Sequence, residues 1–186
     1  MRSRKDPTRT PVVSGSMWRR LSPASEIMNP NQARALRDVL ETQQVAALGT
    51  LHEGEPYVSM VPFALLPGGR GLVVHVSQLA AHTRDMLAHP AVSLLVVAPQ
   101  APDVPAQALP RATVQGQARQ CSDADPDHAE ARRVYLSRFP QSADMFGFAD
   151  FSLFVIVPRT VRFVGGFAQA TTISAETLAR IMSETA

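Results

Sequence analysis

The segment SQLAAHTRD, residues 77–85, carries the densest set of groups able to hold an anion. A strand ends at Ser77 and a helix begins shortly after it. Free N–H groups at a helix N-terminus attract negative charge. A hydroxyl and a guanidinium beside them add directed, charge-assisted hydrogen bonds. Ser77, His82, Thr83 and Arg84 together suit a phosphate monoester, although an ordinary helix start with a solvated arginine accounts for the same residues. A second segment, Ser59-Met60-Val61-Pro62, places a proline inside a strand. Proline cannot donate to a ladder, so this strand lies at an edge or where pairing stops. An open strand edge can hold a planar, hydrogen-bonding ring, and an edge strand with a bulge explains the proline equally well. A third segment, Val164-Gly165-Gly166-Phe167, allows close backbone approach or simply a tight turn.

Other chemistries are excluded by what is missing. Of 18 basic residues only Lys5 is a lysine, so neither Schiff-base catalysis nor a Walker-type phosphate loop has its lysine. The single cysteine, Cys121, allows no internal disulfide and is expected to be inert. His75, His82 and His89 fall seven apart but on different elements, and no HExxH is present, so no metal site is expected. There is no G-x-S-x-G elbow. The run DADPDHAEARR reads as a solvated helix.

Charge points away from nucleic acid. The formal charge is +2, but residues 1–20 hold six basic residues and one acid, leaving 12 basic against 15 acidic in the remainder. The basic character belongs to an Arg-, Ser- and Pro-rich segment, residues 1–28, expected to be disordered. No apolar run approaches the ~20 residues that span a bilayer. The expectation is one cytoplasmic domain over residues 29–186, with neither a nucleic-acid nor a membrane partner.

The elements that must position these groups follow from periodicity. Asn29-Pro30 suits an N-cap and first helical residue. Ala33, Leu36, Val39 and Leu40 then mark a helix to about Gln43. VAALGTL, PYVSMVPFALL and GLVVHVS read as three strands joined by turns at HEGE and PGG. AAHTRDMLAHP is a short helix stopped by Pro90, AVSLLVVAP a fourth strand, and a loop with four prolines leads into RATVQGQARQ as a fifth. A helix from Asp125-Pro126 to about Arg138, strands FSLFVIVP and TVRFVGGF, and a helix capped by Ser174 complete the chain. The class is α+β, a six- to seven-stranded, mostly antiparallel barrel with flanking helices. The strands are apolar on both faces while a small barrel encloses only one, so the outer face calls for a partner.

In this order, VAALGTLHEGEPYVSMVPFAL, HVSQLAAHTRDMLAHPAVSLLV, PRATVQGQA, YLSRFP, FGFADFSLFVI and VRFVGGFAQA resemble the FMN-binding split-barrel family, the pyridoxamine 5′-phosphate oxidase-like flavoproteins. Within it, the likeness is greatest to the haem-utilisation (HugZ-type) branch. The resemblance implies a split barrel, a homodimer and FMN at the subunit interface, with oxidoreductase chemistry carried by the flavin. It assigns the ring to Ser59, Met60, Val61 and Pro62, and the phosphate to Ser77, His82, Thr83 and Arg84. Arg111 would approach the flavin or a bound ligand, and Gly165 to Phe167 a second cofactor or substrate. Ala64 stands where true pyridoxamine-phosphate oxidases carry a lysine. Their Arg-Lys phosphate pair and C-terminal Trp and Arg are also missing, so that specific oxidase activity is not expected. The alternatives are haem binding, for which no histidine follows His128 as axial ligand, and a flavin-binding module without catalysis.

Overall fold

The computed structural model describes residues 28–166 and 169–184. Most of the expected basic tail and Phe167 lie outside these residues. The chain starts with α1 (Pro30–Thr42), whose entry is a full capping box: the Asn29 side chain accepts the Gln32 N–H, and the Gln32 side chain accepts the Asn29 N–H. β1 (Val45–His52) and β2 (Glu55–Pro62) then form a hairpin. Its two turn residues, Glu53 and Gly54, both have positive φ, as the tight turn matching strand twist requires.

β3 (Ala64–Leu65), β4 (Leu72–Ser77), α2 (Ala81–Ala88), β5 (Ala91–Val97) and β6 (Arg111–Cys121) follow. α3 (His128–Arg138), β7 (Phe151–Gly166), β8 (Gln169–Ser174) and α4 (Ala175–Ser183) end the chain. All eight strands join one antiparallel sheet in the order β2-β1-β5-β6-β7-β4-β3, with β8 paired to β7. β2 and β3 occupy opposite ends of that order, yet only Phe63 separates them. The sheet therefore curls into a barrel, and β2 packs near β4 without a ladder between them. This is the expected α+β barrel, and the missing ladder is its split.

Four elements differ from the sequence reading. PYVSMVPFALL is not one strand but two, β2 and β3, broken at Phe63. FSLFVIVP and TVRFVGGF are one strand, β7, with Arg159 as an extra residue, since Thr160 opposes Gln115 while Pro158 opposes Gly116. Bending there lets one strand pair β4 with its first half and β8 with its second. Gly116 is required at this crossing, because a Cβ would lie 2.4 Å from the Val157 carbonyl oxygen. β8 itself was not foreseen; only Thr171 and Ile173 are buried in QATTIS, too few for an alternation signal. α3 begins at His128 rather than at Asp125-Pro126, because the Asp125 carboxylate is engaged by the Ser122 N–H and hydroxyl and by Arg119.

The barrel core joins Leu48, Val61, Phe63, Val74, Leu94, Val114, Phe154 and Phe163 to Leu36 and Leu40 of α1, Met86 of α2 and Leu178 of α4. A second cluster lies outside the barrel, where Val73, Leu153 and Val155 meet Ala131 and Tyr135 of α3. β4 and the first half of β7, to Ile156, are thus covered on both faces by the chain itself. The outer face of β1, β2 and β5 is not: Val58 is 67% exposed and Met60 65%, with Val45, Leu95 and Val97 also open.

α2 is tied to β1 through Asp85, which is 4% exposed and accepts the Thr50 hydroxyl and His52 Nδ1, each at 2.8 Å. Burial would raise this carboxyl, but the hydrogen bonds from His52 and Thr50, with the nearby His52 and Arg84 charges, hold it below the usual carboxylate value. Asp85→Ala, which leaves the Thr50 hydroxyl unpaired, is expected to cost about 3 kcal/mol in urea unfolding at pH 7. A carboxyl depressed in the folded state stabilises above its unfolded value and loses that contribution as acid protonates it. The gap between Asp85→Ala and the parent should therefore narrow below about pH 4.

Candidate functional site

The open edge of β2 lies near β4 and α2, the two elements that flank the turn at residues 77–81. β2 is paired with β1 along its full length, and among the described residues its other edge has no ladder partner. Pro62 ends the strand without an N–H, and the Phe63 N–H turns back to the Gln44 carbonyl at 3.0 Å. Along the strand Met60 is exposed, Val61 enters the core, and Ser59 and Pro62 are half-buried. The Ser59 hydroxyl is buried and has no hydrogen-bond partner.

That turn is held rigid from within. Ser77 Oγ donates to Asp150 at 2.8 Å and accepts the Leu79 N–H at 3.1 Å. The Ser77 carbonyl accepts the Thr83 hydroxyl at 2.7 Å and the Ala80 N–H at 3.1 Å. Thr83 is therefore a buried strut of this turn. The N-cap of α2 is Ala80, which has no side-chain oxygen; the Thr83 N–H turns to the Ala80 carbonyl at 3.2 Å, and the Ala81 and His82 amides before it are left to an outside acceptor. Arg84 is exposed, with a single long contact to the Leu79 carbonyl at 3.5 Å. His82 is half-buried; burial lowers its pKa and the Asp85 charge opposes that. α2 packs against β1 and also touches β2, which places this turn beside the strand carrying Ser59.

The structure thus gathers Ser77, His82, Thr83 and Arg84 in one turn and sets Ser59 to Pro62 on a neighbouring strand. Arg111 is elsewhere, at the start of β6, donating to the Gln107 and Leu109 carbonyls at 3.1 Å each. It shares a pocket of about 380 Å3 with Gln107, Thr113, Arg162, Gly166 and Gln169. Sequence reasoning missed Arg162, which has no acidic partner among the described residues, and Asp150, the acceptor for Ser77. Asp150 lies 73 residues from Ser77 and only strand pairing brings it there, so no local pattern could have marked it. Among the described residues no His, Cys, Asp and Glu cluster has the arrangement of a metal site, and no helix is long and apolar enough to cross a membrane.

Residues 33–165 match the family model described as pyridoxamine 5′-phosphate oxidase. The chain belongs to that family. Two relatives above 30% identity are named for haem. The chain is 38% identical over 154 residues to the chloroplastic non-canonical heme oxygenase HOZ of Arabidopsis thaliana, covering 81% of this chain and 43% of that protein. A heme binding protein from Mycobacterium smegmatis superposes with a TM-score of 0.74 at 32% identity, over 83% of this chain and 62% of that one. The chain thus spans less than two thirds of either relative. HutZ, the heme storage protein of Vibrio cholerae, shares the fold at a TM-score of 0.61 and 23% identity, over 68% of this chain and 89% of that one.

The Ser59 hydroxyl gives the site a direct test. A buried hydroxyl without a partner costs stability in the ligand-free protein. Ser59→Ala should leave that form unchanged or up to about 1 kcal/mol more stable in urea unfolding. A clear loss of stability would mean that the hydroxyl is already satisfied.

Proposed function

We propose that the chain binds FMN in the split, with the flavin ring along the open edge of β2 and the phosphate at the β4–α2 turn. The observation that carries this reading is the unpaired edge of β2 beside a helix start that no side chain caps. The two features ask for complementary groups: polar ring atoms on one side, an oxyanion on the other. Bound flavin supplies two-electron redox chemistry, which makes an oxidoreductase the natural activity. The chain's own residues bind and orient. Arg84 and the first amides of α2 meet the phosphate charge. Ser77 and Thr83 act through the turn, fixing the direction of those amides, and His82 borders them. The backbone of Ser59 to Pro62 offers in-plane hydrogen bonds, while Val61 anchors the strand in the core.

The reading includes a homodimer. Val45, Val58, Met60, Leu95 and Val97 form a laterally continuous apolar outer face on β2, β1 and β5. A second copy laid on it would bury this face and shield the cofactor from water. Arg111, remote from the turn in one protomer, would reach the ligand from such an interface.

A second reading, haem handling, is favoured by Arg111 and Arg162, two arginines without acidic partners beside the same apolar face. They could meet the carboxylates of a tetrapyrrole, and the named relatives bind or cleave haem. Titrating the purified protein with FMN and then with haem separates the two. Oxidised-flavin bands that shift and saturate support the flavin reading; a saturating Soret band without flavin uptake supports haem. In the flavin case Arg84→Ala should weaken FMN binding by about 1.5–3 kcal/mol by calorimetry, the range for a charge-assisted hydrogen bond. Unchanged affinity would put the phosphate elsewhere.

A further inference from the structure

A cavity of about 490 Å3 lies outside the barrel, between β4, β6 and β7 on one side and α3 with the 140–147 segment on the other. Its walls include His75, Gln120, His128, Arg132, Phe146 and Phe151, and it contains none of the residues assigned to the flavin. His75 is the one ring in LVVHVS and is 7% exposed. Phe146 stacks on it face to face at 3.9 Å and 8°, and Phe151 and Tyr135 lie at 5.1 and 5.7 Å. Its Nδ1 is buried and has no partner. Burial lowers its pKa to about 4, so at neutral pH the ring carries no charge and offers one N–H and one bare nitrogen. Leaving such an atom unpaired costs about 1–3 kcal/mol, a penalty that phenylalanine in the same aromatic stack would avoid.

Arg132 supplies what neutral His75 lacks. Its guanidinium sits 5.1 Å from the Phe146 ring centre, and among the described residues no carboxylate pairs with it. The nearby acids are engaged elsewhere: Glu130 with Arg70 and Arg133, Asp123 with His128 at 3.0 Å. Gln120 donates to the Ser152 hydroxyl at 3.2 Å. Burial raises the pKa of Cys121, with Asp125 adding to it, so the thiol stays protonated and is no anion ligand. The walls thus combine a mostly polar lining with the Phe146 and Phe151 rings, one cation with a planar donor fork, the exposed Asp123 carboxylate held by His128, and His75 with its unpartnered nitrogen.

We propose that this cavity binds a small planar carboxylate, its oxygens on Arg132 and its ring against Phe146 and Phe151, with a polar atom satisfied at His75. A guanidinium fork matches the two oxygens of a carboxylate in one plane. This site is independent of the flavin reading. Its test is calorimetric titration of the full chain with hydroxybenzoate, whose hydroxyl is the polar atom for His75, with benzoate and inorganic phosphate as the comparisons, alongside NMR of the histidine rings. The expected result is saturable 1:1 binding of hydroxybenzoate, tighter than benzoate and tighter still than phosphate, with the His75 ring resonances moving. Arg132→Gln and His75→Phe should each weaken binding by about tenfold, the value of one charge-assisted or buried hydrogen bond. His75→Phe keeps the stack; if it unfolds, exposed Arg132→Gln decides alone. No saturable binding, equal affinity in the variants, benzoate or phosphate binding as tightly as hydroxybenzoate, or competition by FMN would each overturn the proposal. A protein that takes up no FMN yet binds hydroxybenzoate in this pattern would leave it standing.

Discussion

Phe63 is the single residue between a strand at one end of the sheet and a strand at the other. That brevity forces the sheet to curl until its two ends meet, and chain geometry prevents them from pairing there. Pro62 has no N–H to offer, and the Phe63 N–H is committed to Gln44. The Phe63 side chain is fully buried, and the Arg138 guanidinium lies 5.4 Å from its ring centre while donating to the Gln43 carbonyl. The corner is therefore anchored from inside and outside the barrel. An open β2 edge beside the β4–α2 turn is its consequence, and the proposed cofactor site is that edge and that turn.

The same closure separates the two uses of apolar strand surface. β4 and the first half of β7 are buried on both faces because α3 folds back over them, so their unbroken hydrophobic runs need no partner. β1, β2 and β5 have no such cover, and their outer apolar residues lie on the side from which a second copy would approach the split. Binding and assembly are thereby linked: the strand that lines the cofactor is also the strand left bare. A water-excluded flavin edge and a buried interface would be one event.

Local signals were legible where local physics decides the structure. The Asn29-Pro30 start, the Glu53-Gly54 turn, the Ser174 cap and the alternation in β5 and β6 are each set by a few neighbouring residues. The proline in β2 foretold an edge, and the Ser77–Arg84 segment foretold a helix start. The departures are non-local. Arg159 became a bulge because Gly116, more than 40 positions earlier, lets the strands cross closely. Asp125 failed to start α3 because Arg119 and Ser122 claimed it. Thr83 carries a hydroxyl suited to phosphate, yet the Ser77 carbonyl takes it. The Asp85 node joining Thr50 and His52 depends on α2 docking against β1, for which the sequence has no periodic signature.

The central claim is that ligand binding completes an unpaired strand edge. Hydrogen–deuterium exchange of the full chain, with and without saturating FMN, tests it most directly. Added protection should concentrate in residues 57–62 and 77–84. The outer strands β1 and β5 should be slowed to a degree that follows the dimer. Unchanged exchange in β2, or protection confined to the face carrying Arg111 and Arg162, would contradict it.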